Sequence, residues 1–592
     1  MKPLPLPPEP VPPPPAPVSA HRQVLAAYDR IGEVDRPELW ITLRPCEDAL
    51  VDAKAVDERV RAGESLPLAG MLIAVQDNVD VAGMPTTAGC LAYAYTPDAT
   101  ATAVRRLTQA GAVVLGKTNL DQFATGLLGT RSPFGAVASA KDPAKIAGGS
   151  GSGSAVAVAL CLVDVAIGTD LAGSVRVPAA CNGIVGIKPT LGLVPRTGVV
   201  STARSYDCVG LFARTVAAAR RALVVMTGPD PADPASRAWP QEVRLAAGQP
   251  ATVAVPDAAG LRVLSEEGRQ AFAHVVGELL VAGVAVQTIG IAPLLEVAKL
   301  LDDGALAAER YAALGEFVER DSPDVDPAVA AAILAAREVP AHRLAADRER
   351  VEEAKLRAAA ALAGIDALLL PTVPEHPSFA AVEADPAGAD RRLGTYTTFV
   401  TLLDLAAVSV PAGRADGSPF GVSVVTRAFD DQIALDLAAL LAGEQLKDPY
   451  PSGGTDLVVF GAHLRGQPLN HRLTALGARF RDEVLTAERY RMVALPGTPQ
   501  PGVVRAKPGA ALTGERWTIS PGGLGRFLAG LPEPLVLGEI ELEDGGTAIG
   551  VQCTAETAAT AKDITEFGDW RAYLRHLTAT RPLRPERAPA SG

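Results

Sequence analysis

The sequence predicts an α/β fold with an at least partly parallel sheet, followed by a second, smaller domain of mainly β character. Three observations carry this. Short apolar runs at 72–75 and 112–115 each stop at a polar or glycine turn, with a helical segment at 101–110 between them. Residues 215–365 are dominated by Ala, Leu, Glu and Arg at helical spacing. Beyond a Pro/Gly/Ser break at KDPYPSGGTD (447–456), the pattern changes to short strands separated by turns.

Taken in order, the chain opens on MKPLPLPPEPVPPPPAPVSA, where proline blocks a helix, so residues 1–19 are expected to be a disordered or polyproline II tail. VLAAYDRI and DAKAVDERVRAG then read as helices within 20–63. AVAVALCLVDVAIG (155–168) is interrupted by Asp164 and reads as a buried helix and strand rather than a membrane span. TVAVP (252–256), DALLLPTVP (366–374) and AAVSVPAG (406–413) read as strands. So do LVVFGAHL, RYRMVALPG, ERWTISP and PLVLGEIELEDGGTAIGVQC after the break. The expected organisation is a first domain at 20–446, a linker at 447–455, a second domain at 456–580 and a loose end at 581–592.

Composition fits a soluble globular protein, and 592 residues exceed what one core holds. A net charge of −12 argues against nonspecific binding to nucleic acid or to an anionic membrane. Six cysteines (Cys46, Cys90, Cys161, Cys181, Cys208, Cys553) lack CxxC spacing and read as buried free thiols, which makes a reducing cytoplasm the default. No metal-ligand spacing is present and no nucleotide motif survives scrutiny, so neither metal nor cofactor is expected.

Two segments carry chemistry. AGGSGSGSAVAVAL (147–160) sets closely spaced serines before an apolar helical run, which makes a flexible linker a poor reading. In GTDLAGSVRVPAACNGIVGIKPT (168–190), Ala172, Gly173 and Ser174 form a tight bend whose small side chains leave N–H groups open to a developing oxyanion. GxSxG is absent. The residues alone give a serine-dependent site with no identified base. A third stretch, MLIAVQDNVDVAG (71–83), delivers Gln76, Asp77 and Asn78 at the end of an apolar strand, where an amide can neither give nor take a proton.

These motifs, with AVQDNVDVAGMPTTAG and VVLGKTNLDQFATGLLGTRSPFGA upstream, resemble the amidase signature family. Within it, DLAGSVRVPAA, RRLGTYTTFVTLLDLAAVSVPAG (391–413), VVFGAHLRGQPLNHRLTALGARF (458–480) and ITEFGDWRAYL (564–574) are similar to the allophanate hydrolase branch, over roughly residues 20–580. The resemblance implies an amidase signature fold, a mixed sheet surrounded by helices. It also implies a small C-terminal domain similar to γ-glutamylcyclotransferase-like folds.

The implied chemistry is cleavage of a C–N bond in allophanate or a similar small ureido or carbamoyl acid, with release of ammonia through an acyl-enzyme. Ser174 would be the nucleophile and Ser150 the bridging serine, often in a cis peptide. The N–H groups of Leu171, Ala172, Gly173 and Ser174 would form the oxyanion hole, with Asp170 and Arg176 in structural roles. Thr125, Gly126 and Arg310 would face the substrate. Two positions depart from the family pattern. Its lysine base is Gln76 here, and the tyrosine of its Y-E-G-P-W-V-A-E-R stretch is Asp302. The amide makes a silent relative or an amidase of another pathway the alternatives. Lys145 is a distant stand-in base, and Lys117 matches a family lysine outside the triad. The second domain would convert N-carboxycarbamate to carbamate and CO2, with His463 or His471 involved or else merely structural. A separate urea carboxylase as pathway partner and a homodimer are further implications.

Overall fold

The computed structural model describes residues 19–451, 453–496 and 500–579. The expected N-terminal tail (save Ser19) and the expected loose end lie outside the described residues.

The first part is built on one eleven-stranded sheet. Its strands are β1 (Trp40–Leu43), β2 (Leu72–Gln76), β3 (Val113–Thr118), β4 (Val165–Thr169), β5 (Val185–Lys188), β6 (Val209–Ala213), β7 (Thr252–Pro256), β8 (Ala285–Ile289), β9 (Ala367–Pro371), β10 (Ala406–Ala415) and β11 (Ser418–Thr426). They lie in the order β1-β3-β2-β4-β6-β5-β10-β11-β9-β7-β8. The sheet is mixed: β2 runs parallel to β3 and β4, and β7 parallel to β8 and β9, while the centre is antiparallel. Helices cover both faces of β2, β3 and β4, so these strands are buried along their whole length and read as continuous apolar runs.

Because β2 and β4 are parallel neighbours, with Val75 opposite Ile167, their carboxyl ends open on the same edge. Gln76 and the 170–174 bend therefore arrive side by side, as ligand sites do at strand ends in α/β sheets. The Gly/Ser run feeds the helix Ser152–Ala159, which is buried on all sides against β2 and β4. Its residues are small enough to let it approach the sheet closely: a Cβ on Gly153 would lie 2.5 Å from the carbonyl oxygen of Leu39.

The second part has its own core around Leu457, Met492 and Trp517. β12 (Thr455–Val459), β13 (Arg479–Leu485), β16 (Thr513–Ile519), β17 (Leu535–Glu541) and β18 (Thr547–Cys553) form a five-stranded sheet in the order β13-β16-β12-β18-β17. β14 (Tyr490–Ala494), β15 (Pro501–Arg505) and β19 (Lys562–Asp563) form a three-stranded one. The segment 241–245 of the first part lies against this second core. Leu245 N–H donates to Gly477 O at 2.8 Å, Gly522 N–H to Gln241 O at 2.7 Å, and Arg479 Nη1 to Asp436 at 2.6 Å.

All six cysteines are unpaired, but the expectation of burial fails at two of them. Cys161 is exposed just past the end of the helix Ser152–Ala159, and Cys46 is half-buried. Among the described residues no helix is long and apolar enough to cross a membrane, and no cluster of His, Cys, Asp or Glu could hold a metal.

Candidate active site

Three segments converge at the edge where β2 and β4 end. The first ends in Gln76, which is completely buried. Its Oε1 accepts the Thr169 N–H at 2.8 Å and its Nε2 donates to Ser150 Oγ at 3.2 Å. The main-chain donor fixes the orientation of the amide, since only the oxygen can face an N–H. Next to it, Asp77 takes the Lys117 ammonium at 3.0 Å and the Thr87 N–H at 2.8 Å. Lys117 also donates to Thr86 Oγ1 and the Pro85 carbonyl, so its three protons are all committed. Burial pushes its pKa down, against the pull of Asp77.

The second segment carries Ser150, whose peptide bond to Gly149 is cis. Main-chain bonds tie it on both sides: Asp121 N–H donates to Ser150 O at 3.1 Å and Gly151 N–H to Ser174 O at 3.1 Å. The two serine loops are thus joined through their backbones. Asp121 lies beneath, accepting from Gly129 N–H and Arg131 N–H at 2.9 Å each. Burial pushes the Asp121 carboxyl up to about 6, and these bonds with the Arg131 charge oppose it. Only glycine fits at 149, where a Cβ would fall 2.0 Å from Asp121 Oδ2. Lys145, the stand-in base considered from sequence, is engaged elsewhere, since its ammonium donates to Ser418 Oγ on β11.

The third segment is the bend at 170–176. Asp170 and Arg176 form a completely buried ion pair at 2.7 and 3.0 Å. Burial would raise the Asp170 pKa, but the guanidinium overrides it and holds the carboxylate below its usual range. The same carboxylate accepts the N–H groups of Gly173, Val175 and Arg176. These contacts tie the pair into the framework of the bend and leave fewer N–H groups for the expected oxyanion hole. Gly173 N–H is committed to Asp170 at 2.9 Å, whereas those of Leu171, Ala172 and Ser174 donate to no group among the described residues. Gly173 has φ +126°, and a Cβ there would lie 2.4 Å from Thr397 Oγ1, so glycine is required twice over. Thr397, 225 residues away, donates through Oγ1 to Ala172 O at 2.6 Å and accepts Arg176 Nη1 at 2.9 Å.

A cavity of about 540 Å³ opens over Ser174, Leu171 and Ala172. Thr125, Gly126 and Arg310 line it, together with Arg131, Arg343, Arg391, Asp303 and Asp390. Thr125 follows two consecutive left-handed residues, Phe123 (φ +53°) and Ala124 (φ +54°). The strain is held by the Phe123 ring, which is buried 5.2 Å from Tyr93 and 5.8 Å from Phe317. Asp302 ends the helix Ala292–Asp302; its side chain lies outside the described residues, and the neighbouring Asp303 lines the cavity.

The two candidate histidines are in the second part. His463 is buried, with its ring 5.2 Å from Phe527 and Nε2 without a hydrogen-bond partner among the described residues. Burial pushes its pKa down to about 4. His471 is exposed, with Nδ1 2.9 Å from the Pro468 carbonyl oxygen. Sequence reading missed Thr397, Asp121, Arg343 and Arg391. TYTTF flagged the region of Thr397, but nothing local marks which threonine reaches the bend.

The comparisons with known proteins agree with this architecture. The amidase family model matches residues 22–435, and the model for the allophanate hydrolase C-terminal domain matches 455–575. The urea amidolyase of Lachancea kluyveri is 38% identical over 554 residues, 87% of this chain and 30% of that protein. That of Saccharomyces cerevisiae is 36% identical over 575 residues, 91% of this chain and 31% of that protein. The chain therefore spans about 30% of the length of the urea amidolyases it matches. The solved allophanate hydrolase of Kluyveromyces lactis superposes with a TM-score of 0.85 at 33% identity, covering 95% of this chain and 98% of that one. Fold and relatives together define an amidohydrolase acting on C–N bonds. The chain belongs to the amidase family and carries an allophanate hydrolase C-terminal domain.

Proposed function

We propose that the first part cleaves the terminal C–N bond of allophanate or a similar small ureido or carbamoyl acid through an ester on Ser174. The observation that carries this is the joining of the two serine loops beside three open N–H groups at the floor of the cavity. Ser174 Oγ attacks the carbonyl, the oxyanion is held by the N–H groups of Leu171, Ala172 and Ser174, and ammonia leaves. Water then hydrolyses the ester. Ser150 passes the proton from Ser174 towards the leaving nitrogen, and Gln76 holds Ser150 in place without supplying a charge. Arg310 meets the substrate carboxylate.

In this reading the second part converts N-carboxycarbamate to carbamate and CO2, and of the two histidines His463 is the better candidate, being kept neutral by burial. A separate urea carboxylase supplies the substrate, and the chain works in the cytoplasm as a homodimer. The support for these points is the likeness to urea amidolyases and allophanate hydrolase.

A second reading is favoured by Gln76 itself, namely a site that binds and positions but turns over little. Ammonia release from allophanate by the unmodified chain and by Gln76→Lys separates the two. Turnover by the unmodified chain that Ser174→Ala abolishes supports the first. Turnover by Gln76→Lys alone supports the second. Silence from both overturns the allophanate assignment. Added mass on Ser174 after exposure to an activated ester tests the nucleophile independently.

A further inference from the structure

The N–H groups of Ala172 and Ser174 are separated by a single peptide unit, Ala172–Gly173, and that unit is held at both ends. Its N–H donates to Asp170 Oδ1 at 2.9 Å, and its carbonyl accepts the Thr397 hydroxyl at 2.6 Å. Glycine at 173, with φ +126°, opposes rotation of the unit less than any other residue does. The two hydrogen bonds therefore fix its plane. The first arises within the bend, and the second comes from 225 residues away.

The second bond has a rigid mount. Thr397 is completely buried, and its own carbonyl accepts Arg176 Nη1 at 2.9 Å, so it grips the bend on both sides of Ser174. The segment that carries it is tied down independently. Tyr396 OH donates to Gly260 O at 2.7 Å, and Thr397 N–H to Gly394 O at 3.1 Å. Earlier in the segment, Asp390 accepts Leu127 N–H at 2.6 Å and Arg131 Nη1 at 2.9 Å. Leu127 O in turn accepts Gly149 N–H at 2.8 Å, next to Ser150. One segment thus reaches both serine loops.

Satisfying the Ala172 carbonyl does not by itself call for such an arrangement. Ala172 is half-buried at the edge of the cavity, where water serves a carbonyl nearly as well as a side chain. What a hydroxyl on a fixed mount adds is direction. Thr398 offers a second hydroxyl to the same oxygen, but at 3.4 Å it is too far to replace the first. We propose that Thr397 is a positioning residue for the reaction at Ser174. Its hydroxyl, acting through the Ala172 carbonyl, keeps the N–H groups of Ala172 and Ser174 in the register that an oxyanion requires. This rests on the reading of Ser174 as the acylated nucleophile and adds to it the group that sets the donors.

The test is acetylation of Ser174 by p-nitrophenyl acetate, followed by intact mass over a range of ester concentrations. Ser174 Oγ bonds to the acetyl carbon and p-nitrophenol leaves, so no ammonia release is needed. Thr397→Val and Thr397→Ala remove the donor. Both are expected to lower the limiting acetylation rate about a hundredfold, the scale of a misplacement by about 1 Å. The half-saturating ester concentration should change by less than about threefold, because the interaction is made in the transition state. Thr397→Ser restores the donor and is expected to recover the rate to within about fivefold of the parent. A residue that only supports the fold would lower the urea midpoint without this split. Parent-rate acetylation in Thr397→Val and Thr397→Ala, a fall confined to the half-saturating concentration, a fall that Thr397→Ser does not reverse, or failure of both donor-less variants to fold would each overturn the proposal. Those outcomes leave the nucleophile reading standing. No added mass on Ser174 in the parent would instead sink that reading and the proposal with it.

Discussion

Gln76 bridges Thr169 and Ser150, its oxygen taking the main-chain N–H of one at 2.8 Å and its nitrogen donating to the hydroxyl of the other at 3.2 Å. A lysine at this position reaches the same hydroxyl with a proton it can transfer, but it offers no acceptor to Thr169. Gln76→Lys is therefore expected to do two opposite things. Ammonia release rises by about two orders of magnitude or more, the scale of a positioned general acid–base. Stability falls by about 1–3 kcal/mol, because the buried Thr169 N–H loses its partner. Steady-state kinetics and chemical denaturation read the two effects separately.

Gly173→Ala places a methyl group where Thr397 Oγ1 lies and forces alanine to φ +126°. The bend must open to accommodate it, and the Thr397–Ala172 bond at 2.6 Å is the contact displaced. The expected outcome is loss of Ser174 acylation by about a hundredfold or more, as for loss of oxyanion donors. Intact-mass measurement of ester labelling follows it.

Arg176→Met removes one half of a completely buried pair and leaves the Asp170 charge uncompensated, at about 3–5 kcal/mol. The pH dependence reverses with it. In the parent, Asp170 sits below its ordinary 3.8, so its contribution is present above that value and is lost as pH falls. Without the guanidinium, burial raises the Asp170 pKa, and the variant becomes relatively more stable at pH 5 than at pH 7. Urea denaturation at the two pH values decides it.

His463 gives a second pH signature, in the second part. Its folded-state pKa of about 4 lies below the ordinary 6.5, so the unfolded chain binds the proton first. The stability this contributes is whole above 6.5 and is lost as pH falls towards 4, to a total of about 3 kcal/mol. His463→Phe, filling the site beside Phe527 without a titratable group, is expected to lose that share of the decline. Parallel thermal melts of parent and variant between pH 7 and pH 4 measure the difference.

Much of the architecture is legible in the sequence because buried parallel strands leave an unmistakable trace. The run ending at Gln76 is β2, TVAVP is β7 residue for residue, and AVAVALCLVDVAIG divides at Asp164 into helix and strand. The bend at 170–174 is equally visible, since a small-residue turn beside a serine has few other uses. What pins it is not visible. Thr397 acts across 225 residues and Asp121 through the backbone of another loop, and neither contact has a local pattern. The antiparallel centre of the sheet is hidden for the same reason, because pairing partners far apart in sequence are set by topology rather than by periodicity. Arg343 and Arg391 look like any surface arginine until the fold brings them to one cavity.

Arg479 lies on β13, yet its guanidinium reaches back to Asp436 and to the carbonyl oxygens of Leu245 and Leu446. Gly477 nearby comes so close to Arg244 that a Cβ would sit 2.6 Å from its Cα. The seam between the two parts is thus a mutual template: each half finishes hydrogen bonds that the other half begins. A chain severed at Gly453–Gly454 would yield two fragments with raw edges, and recombining them should restore solubility that neither has alone.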